Sequence, residues 1–298
     1  RHYTEGWADG FHYDIKYWEI WNEPDLDPDD STHKRCWGGT AAQFYELYCI
    51  AHKHLKACFP HLKIGGPAVA GLRPVWLDGF FRALKENGIV PDFFSWHRYD
   101  KDVHKFVEKV RYARELLDKY GFAETESILN EWNYVKGWEE EFVYTIKAIH
   151  GIKGASFTLA CMCTSQHSPV DMLMYYDTRP SAFNGVFDFY TYEKLKGYYA
   201  FYWYGFLYDC EKEITSQNEI ENIYSLCGVD KNGKATIILT YYSDNDSLPN
   251  KEISLDLGEK GSYDIYKVDN EHNGELTAVT DNLSFELELY SMVLIKEK

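Results

Sequence analysis

An α/β fold with a parallel sheet, followed by an antiparallel β-sandwich, is the architecture this sequence predicts, on three observations. From Tyr17 to about Tyr199, short β-like runs alternate with longer helical stretches, the pattern of successive βα units. Beyond about Asp209 the helical periodicity stops, and alternating or apolar runs follow one another between turn signals. Two of the early strand-like runs close on a glutamate, Glu23 and Glu131.

The elements are read in order from local pattern. Lys16 to Trp21 is the first strand, and a helix follows from Thr40 to Cys58, with Phe44, Leu47, Tyr48 and Ala51 at helical spacing and a stop near Pro60. Leu62 to Pro67 is a strand with its exit turn, and Val75 to Asn87 a helix that Gly88 ends. Phe93 to Tyr99 is the third strand, Val103 to Tyr120 a helix ended by Gly121, and Ile128 to Trp132 the fourth strand. A helix from Glu140 to Gly151 and a fifth strand from Ala155 to Cys163 come next. Gln166 to Tyr190 is too long for a simple connection and is read as a loop able to wall a pocket. A helix from Tyr192 to Leu207 closes this part, giving domains at 1–208 and 209–298.

In the second domain, strands are expected at Ile223–Val229, Ala235–Tyr242, Glu252–Leu257, Ser262–Val268 and Leu283–Ile295. Asn232-Gly233 and Asn273-Gly274 are hairpin signals beside them. Together these runs suit a small antiparallel sandwich.

Composition narrows the function classes. A net charge of -16 without a basic run disfavours nucleic acid as a partner. No stretch approaches the apolar length of a membrane span. Seven cysteines, an odd number without a tight CxxC pair, favour a reducing, cytoplasmic compartment; the chain starts at Arg1, so secretion stays open. Cys161 and Cys163 lack the partners of a metal site, and neither a metal nor an organic cofactor is expected. Nine Trp and 25 Tyr offer platforms for sugar rings as well as core material.

Strand-end glutamates suit glycoside hydrolysis. One carboxylic acid protonates the leaving oxygen, and one carboxylate attacks the anomeric carbon from about 5–5.5 Å away in a retaining enzyme. The Trp21-Asn22-Glu23-Pro24 and Asn130-Glu131-Trp132 strand ends resemble the acid/base and nucleophile motifs of clan A retaining glycoside hydrolases, which are (β/α)8 TIM barrels. Tyr17-Trp18-Glu19-Ile20, Lys63-Ile64-Gly65-Gly66-Pro67-Ala68 and the trailing sandwich make the chain most similar to glycoside hydrolase family 39, the β-xylosidase and α-L-iduronidase family.

That resemblance implies Glu23 as acid/base at the end of barrel strand four and Glu131 as nucleophile at the end of strand seven. It implies Asn22 as the residue bonding the sugar 2-hydroxyl, Tyr99 as the residue holding the nucleophile, and His97 as a neighbour of the acid/base. Trp132 and Trp138 are candidate sugar platforms, and the partner is an oligosaccharide or small glycoside. A carbohydrate-binding pseudoenzyme, or an inactive fragment of such a hydrolase, is the alternative.

Two departures from the family pattern accompany the likeness. Only about sixteen residues precede the first strand where three βα units are expected, and residues 1–14 resemble the tail of a third helix. A barrel lacking strands one to three exposes strand edges, so an upstream segment or a homo-oligomer is expected to complete it, and the isolated chain to be weakly active or inactive. The run Phe157 to Cys163, read as the eighth strand, carries no Trp.

Overall fold

The computed structural model describes residues 13–215, 217, 220–258 and 261–298, so the expectation for the first twelve residues lies outside the described residues. Two compact units emerge, one running to His97 and including Glu115–Ile128, the other formed by Arg98–Arg114 and Leu129–Lys298. The second unit runs across the boundary expected near residue 209.

The first unit begins with β1 (Tyr17–Glu19), α1 (Ala41–Cys58), β2 (Lys63–Val69) and α2 (Pro74–Glu86). α1 starts where Thr40 and Gln43 form a reciprocal capping box, each side chain bonding the other's backbone amide, and it buries Phe44, Tyr48, Cys49 and His52. α2 starts on Pro74 and ends before Gly88, whose φ of 65° suits a residue without a side chain. β1 pairs with β2, and β2 with β3 (Phe93–Asp100), both in parallel. Gly65 is dictated by packing here, because a Cβ would sit 2.2 Å from the Phe93 carbonyl oxygen.

β3 and β4 (Glu126–Tyr134), with α3 (Val103–Lys119) between them, pass from one unit into the other. The strand order is β1-β2-β3-β4-β5, where β5 is Met172–Tyr175.

This fifth strand corrects the sequence reading. The run expected as a strand, Ala155 to Cys163, belongs to a helix, α5 (Ile152–Ser165), that follows α4 (Phe142–His150) across Gly151. Every residue from Lys153 to Cys163 is buried, against α4, α6 (Lys196–Tyr208), β7 (Ile223–Val229) and β8 (Ala235–Tyr241). A helix enclosed on all sides loses its polar face, so its sequence reads as the continuous apolar run of a buried strand. β5 lies instead inside the stretch taken for a loop, and the absence of Trp from 157–163 carries no information about the last strand. Burial pushes the Cys161 and Cys163 thiols up, consistent with inert core residues.

The rest of the second unit is antiparallel. A six-stranded sheet is ordered β11-β10-β13-β8-β7-β6 and a two-stranded one β12-β9, with β6 (Lys212–Ile214), β9 (Lys251–Ser254), β10 (Tyr263–Val268), β11 (Asn273–Thr280), β12 (Ser284–Leu287) and β13 (Met292–Glu297). Ile237, Leu239, Ile265, Val293 and Ile295 of the larger sheet share a core with Ile253 and Leu287 of the smaller. The expected strand 283–295 is two strands, because the chain turns at Tyr290 (φ 70°). Asn232-Gly233 does turn β7 into β8, whereas Asn273-Gly274 opens β11 and the preceding turn is built on Asp269.

Among the described residues no helix is long and apolar enough to cross a membrane.

Candidate active site

Glu23 is held just past the end of β1 by backbone pairing that outlasts the strand. Ile20 N–H donates to Gly65 O (2.9 Å) and Glu23 N–H to Ala68 O (2.8 Å). Trp21, Glu23 and Ala68 all have positive φ (74°, 49° and 53°), a conformation that costs a non-glycine residue roughly 1 kcal/mol or more and persists where surrounding contacts impose it. Asp25 is one such contact. Its buried carboxylate accepts from the Ala70 and Gly71 amides (2.7 and 3.2 Å) and lies 3.4 Å from Arg73, tying the Glu23 turn to the exit of β2. Burial pushes the Asp25 carboxyl above its ordinary value, against the downward pull of those amides and Arg73.

The Glu23 carboxyl is contacted on both oxygens. His97, 1 % exposed on β3, places Nδ1 3.0 Å from Oε1. The Cys36 thiol lies 3.8 Å from Oε2. Asn22 and Trp21 beside it are exposed, Trp21 donating its indole N–H to Cys36 O (3.0 Å).

In the second unit, Glu131 lies on β4 with Oε2 accepting from the Tyr99 hydroxyl at 2.7 Å. Tyr99 packs edge-on against Trp138 (5.1 Å between centroids), and Trp138 stacks on Phe183 at 5.6 Å while remaining 56 % exposed. Asn133, two residues past Glu131 and fully buried, donates its amide to Tyr176 O (2.8 Å) and Phe183 O (3.0 Å), pinning the segment that carries Phe183.

His97 ends the part of β3 that belongs to the first unit, and Tyr99 lies in the part that belongs to the second. Each holds one of the two glutamates.

Trp132 is a correction. Expected as a sugar platform, it is 1 % exposed and wedged edge-on between Phe106 and Tyr175 (5.5 and 5.4 Å), because residue 132 alternates with 131 to the opposite strand face. Sequence reasoning missed Asp25, Cys36, Asn133 and Phe183. Asn133 shares the period-2 face of Glu131 and was legible on that ground; the others act through contacts between distant segments.

The profile described as Glycosyl hydrolases family 39 matches residues 10–275. Two curated proteins named beta-xylosidase are similar over shorter stretches. That of Geobacillus stearothermophilus is 32% identical over 96 residues, 31% of this chain and 18% of the relative; that of Caldicellulosiruptor saccharolyticus is 33% identical over 91 residues, 29% and 16% respectively. The chain thus matches less than a fifth of the length of these relatives. Among solved structures, a glucosidase from Croceicoccus marinus aligns with all of this chain and 72% of its own (TM-score 0.73, 24% identity). A monomeric beta-xylosidase from Caulobacter crescentus aligns with 94% of this chain and 69% of its own (TM-score 0.70, 17% identity). At these identities the likeness is one of fold.

Proposed function

The chain belongs to glycoside hydrolase family 39, and from that premise we propose that it carries the catalytic glutamates of a retaining, β-xylosidase-like glycosidase. The architecture fitting this role is part of a (β/α)8 barrel with a trailing sandwich. The observation that carries the reading is that each strand-end glutamate has a β3 side chain on its carboxyl within its own unit: His97 Nδ1 on Glu23 in the first, the Tyr99 hydroxyl on Glu131 in the second. An imidazole beside one carboxyl suits an acid/base, and a hydroxyl donating to the other suits a carboxylate nucleophile.

In the first step the Glu131 carboxylate attacks the anomeric carbon while the Glu23 carboxyl donates its proton to the glycosidic oxygen; the bond to the leaving group breaks as the glycosyl ester forms. In the second, the Glu23 carboxylate takes a proton from water, the water oxygen attacks the same carbon, and Glu131 departs. The Tyr99 hydrogen bond aims the nucleophile. Exposed Trp138 offers an apolar face to a sugar or aglycone ring, and Asn22, exposed beside Glu23, is assigned to a substrate hydroxyl. The similarity to proteins named beta-xylosidase favours xylosides among possible substrates.

A screen of nitrophenyl glycosides, followed by azide rescue, tests the reading. Glu131→Gly should abolish turnover and yield the inverted glycosyl azide, whereas Glu23→Ala should yield the azide of retained configuration. Full activity of either variant would refute the assignment. Binding of xylo-oligosaccharide without turnover of any glycoside would mark a pseudoenzyme instead.

A further inference from the structure

The segment between Glu23 and α1 is built to carry one side chain back to Glu23. Asp27 accepts from the Arg35 backbone amide (2.7 Å) and from its guanidinium (2.6 and 3.1 Å), closing the segment on itself. On the other side, Trp37 donates its indole N–H to Thr40 O (2.9 Å), and Asp29 accepts from Ala41 N (2.8 Å), which anchors the segment to the start of α1. Cys36 lies between these two anchors. Its carbonyl takes the Trp21 indole N–H, Trp37 packs edge-on against Trp21 at 5.2 Å, and its thiol reaches Glu23 Oε2 at 3.8 Å.

We propose that Cys36 is a positioning residue for the Glu23 carboxyl, a role that rests on Glu23 acting as the general acid. With Oε1 held by His97, a second contact on Oε2 fixes the rotation of the carboxyl about its terminal bond. A thiol suits that place, because it is a weak donor that orients the oxygen without competing strongly for the proton to be delivered. Charged and titratable groups near the pair include His97 on β3 and Asp27 and Arg35 on the segment itself. Burial, and then the Glu23 charge, raise the Cys36 thiol above its ordinary value, which agrees with a thiol donating to a carboxylate.

Leaving-group dependence separates positioning from support of the fold. With the full chain, kcat/KM is measured for phenyl and 2,4-dinitrophenyl β-xylosides in Cys36→Ala and Cys36→Val. The phenyl substrate needs the acid and the dinitrophenyl substrate does not. Loss of one weak hydrogen bond predicts a drop of about 3- to 10-fold on the phenyl substrate and little change on the dinitrophenyl one, in both variants. Equal losses on both substrates, or full recovery with Val, would overturn the proposal by assigning Cys36 to packing.

A second arm needs no turnover. The rate of Cys36 alkylation by iodoacetamide, read by peptide mass, should rise about three-fold or more in Glu23→Gln, because the neighbouring negative charge is removed. An unchanged rate would overturn the contact. Turnover by the wild-type chain bears on the proposed function, whereas the alkylation comparison decides by itself whether Cys36 and Glu23 are coupled.

Discussion

The hydroxyl of Tyr99 donates to Oε2 of Glu131 across 2.7 Å, linking the end of β3 to the glutamate on β4 within one compact unit. Hydrogen bonds to a charged acceptor contribute about 1.5–3 kcal/mol. Tyr99→Phe keeps the ring against Trp138 and deletes only the donor. kcat/KM on an aryl xyloside is expected to fall roughly 10- to 100-fold, with the urea midpoint nearly unchanged.

Trp138 is exposed yet stacked on Phe183, so its outer face is available to a ring. Trp138→Ala should raise KM several-fold and leave kcat and folding stability close to wild type, as expected when binding is equal in ground and transition states. Steady-state kinetics on a disaccharide, with a melting curve, checks this.

Lys153 is a buried cation on α5. Burial opposes its charge, but Tyr144 (3.0 Å), Asp246 (2.9 Å) and Asp244 (3.1 Å) surround the ammonium and hold its proton affinity above the ordinary value. Lys153→Met removes the buried cation from beside Asp244 and Asp246 and should destabilise the chain by about 3 kcal/mol. Urea unfolding at neutral pH measures the loss.

The same cluster gives the protein an acid limit. Burial works against the Asp246 charge, but hydrogen bonds from Tyr290, Lys153 and Tyr144 hold its carboxyl down at about 2. A carboxyl depressed in the folded state stabilises above its unfolded value, near 4, and that contribution is lost as pH falls through the folded value. The urea midpoint should therefore drop between about pH 4 and pH 2, and Asp246→Asn should flatten that drop.

The strand ends that carry Glu23 and Glu131 were legible because strand ends are local properties, whereas His97 and Tyr99 were singled out by the family resemblance, and each contacts the glutamate it was matched with. The first three helices were legible from local pattern as well, their ends marked by Pro60, Gly88 and Gly121. α5 was not, since enclosure on every side erased the periodicity that separates helix from strand. Trp132 was misread because adjacency to Glu131 in sequence means the opposite face of a strand. Asp25, Cys36 and Phe183 depend on partners outside their own sequence neighbourhood, with Asp25 reaching the backbone at residues 70 and 71, and no local pattern encodes such contacts.

Trapping the covalent intermediate tests the proposed chemistry most directly. A 2-deoxy-2-fluoro-xyloside with a good leaving group slows both steps but the second more, so the glycosyl ester accumulates on the nucleophile. Peptide mass spectrometry after inactivation should find one fluoroxylosyl group per chain, on Glu131 within Ser127–Asn133. Labelling of a different carboxylate, or turnover of xylosides with no label on Glu131, would contradict the account.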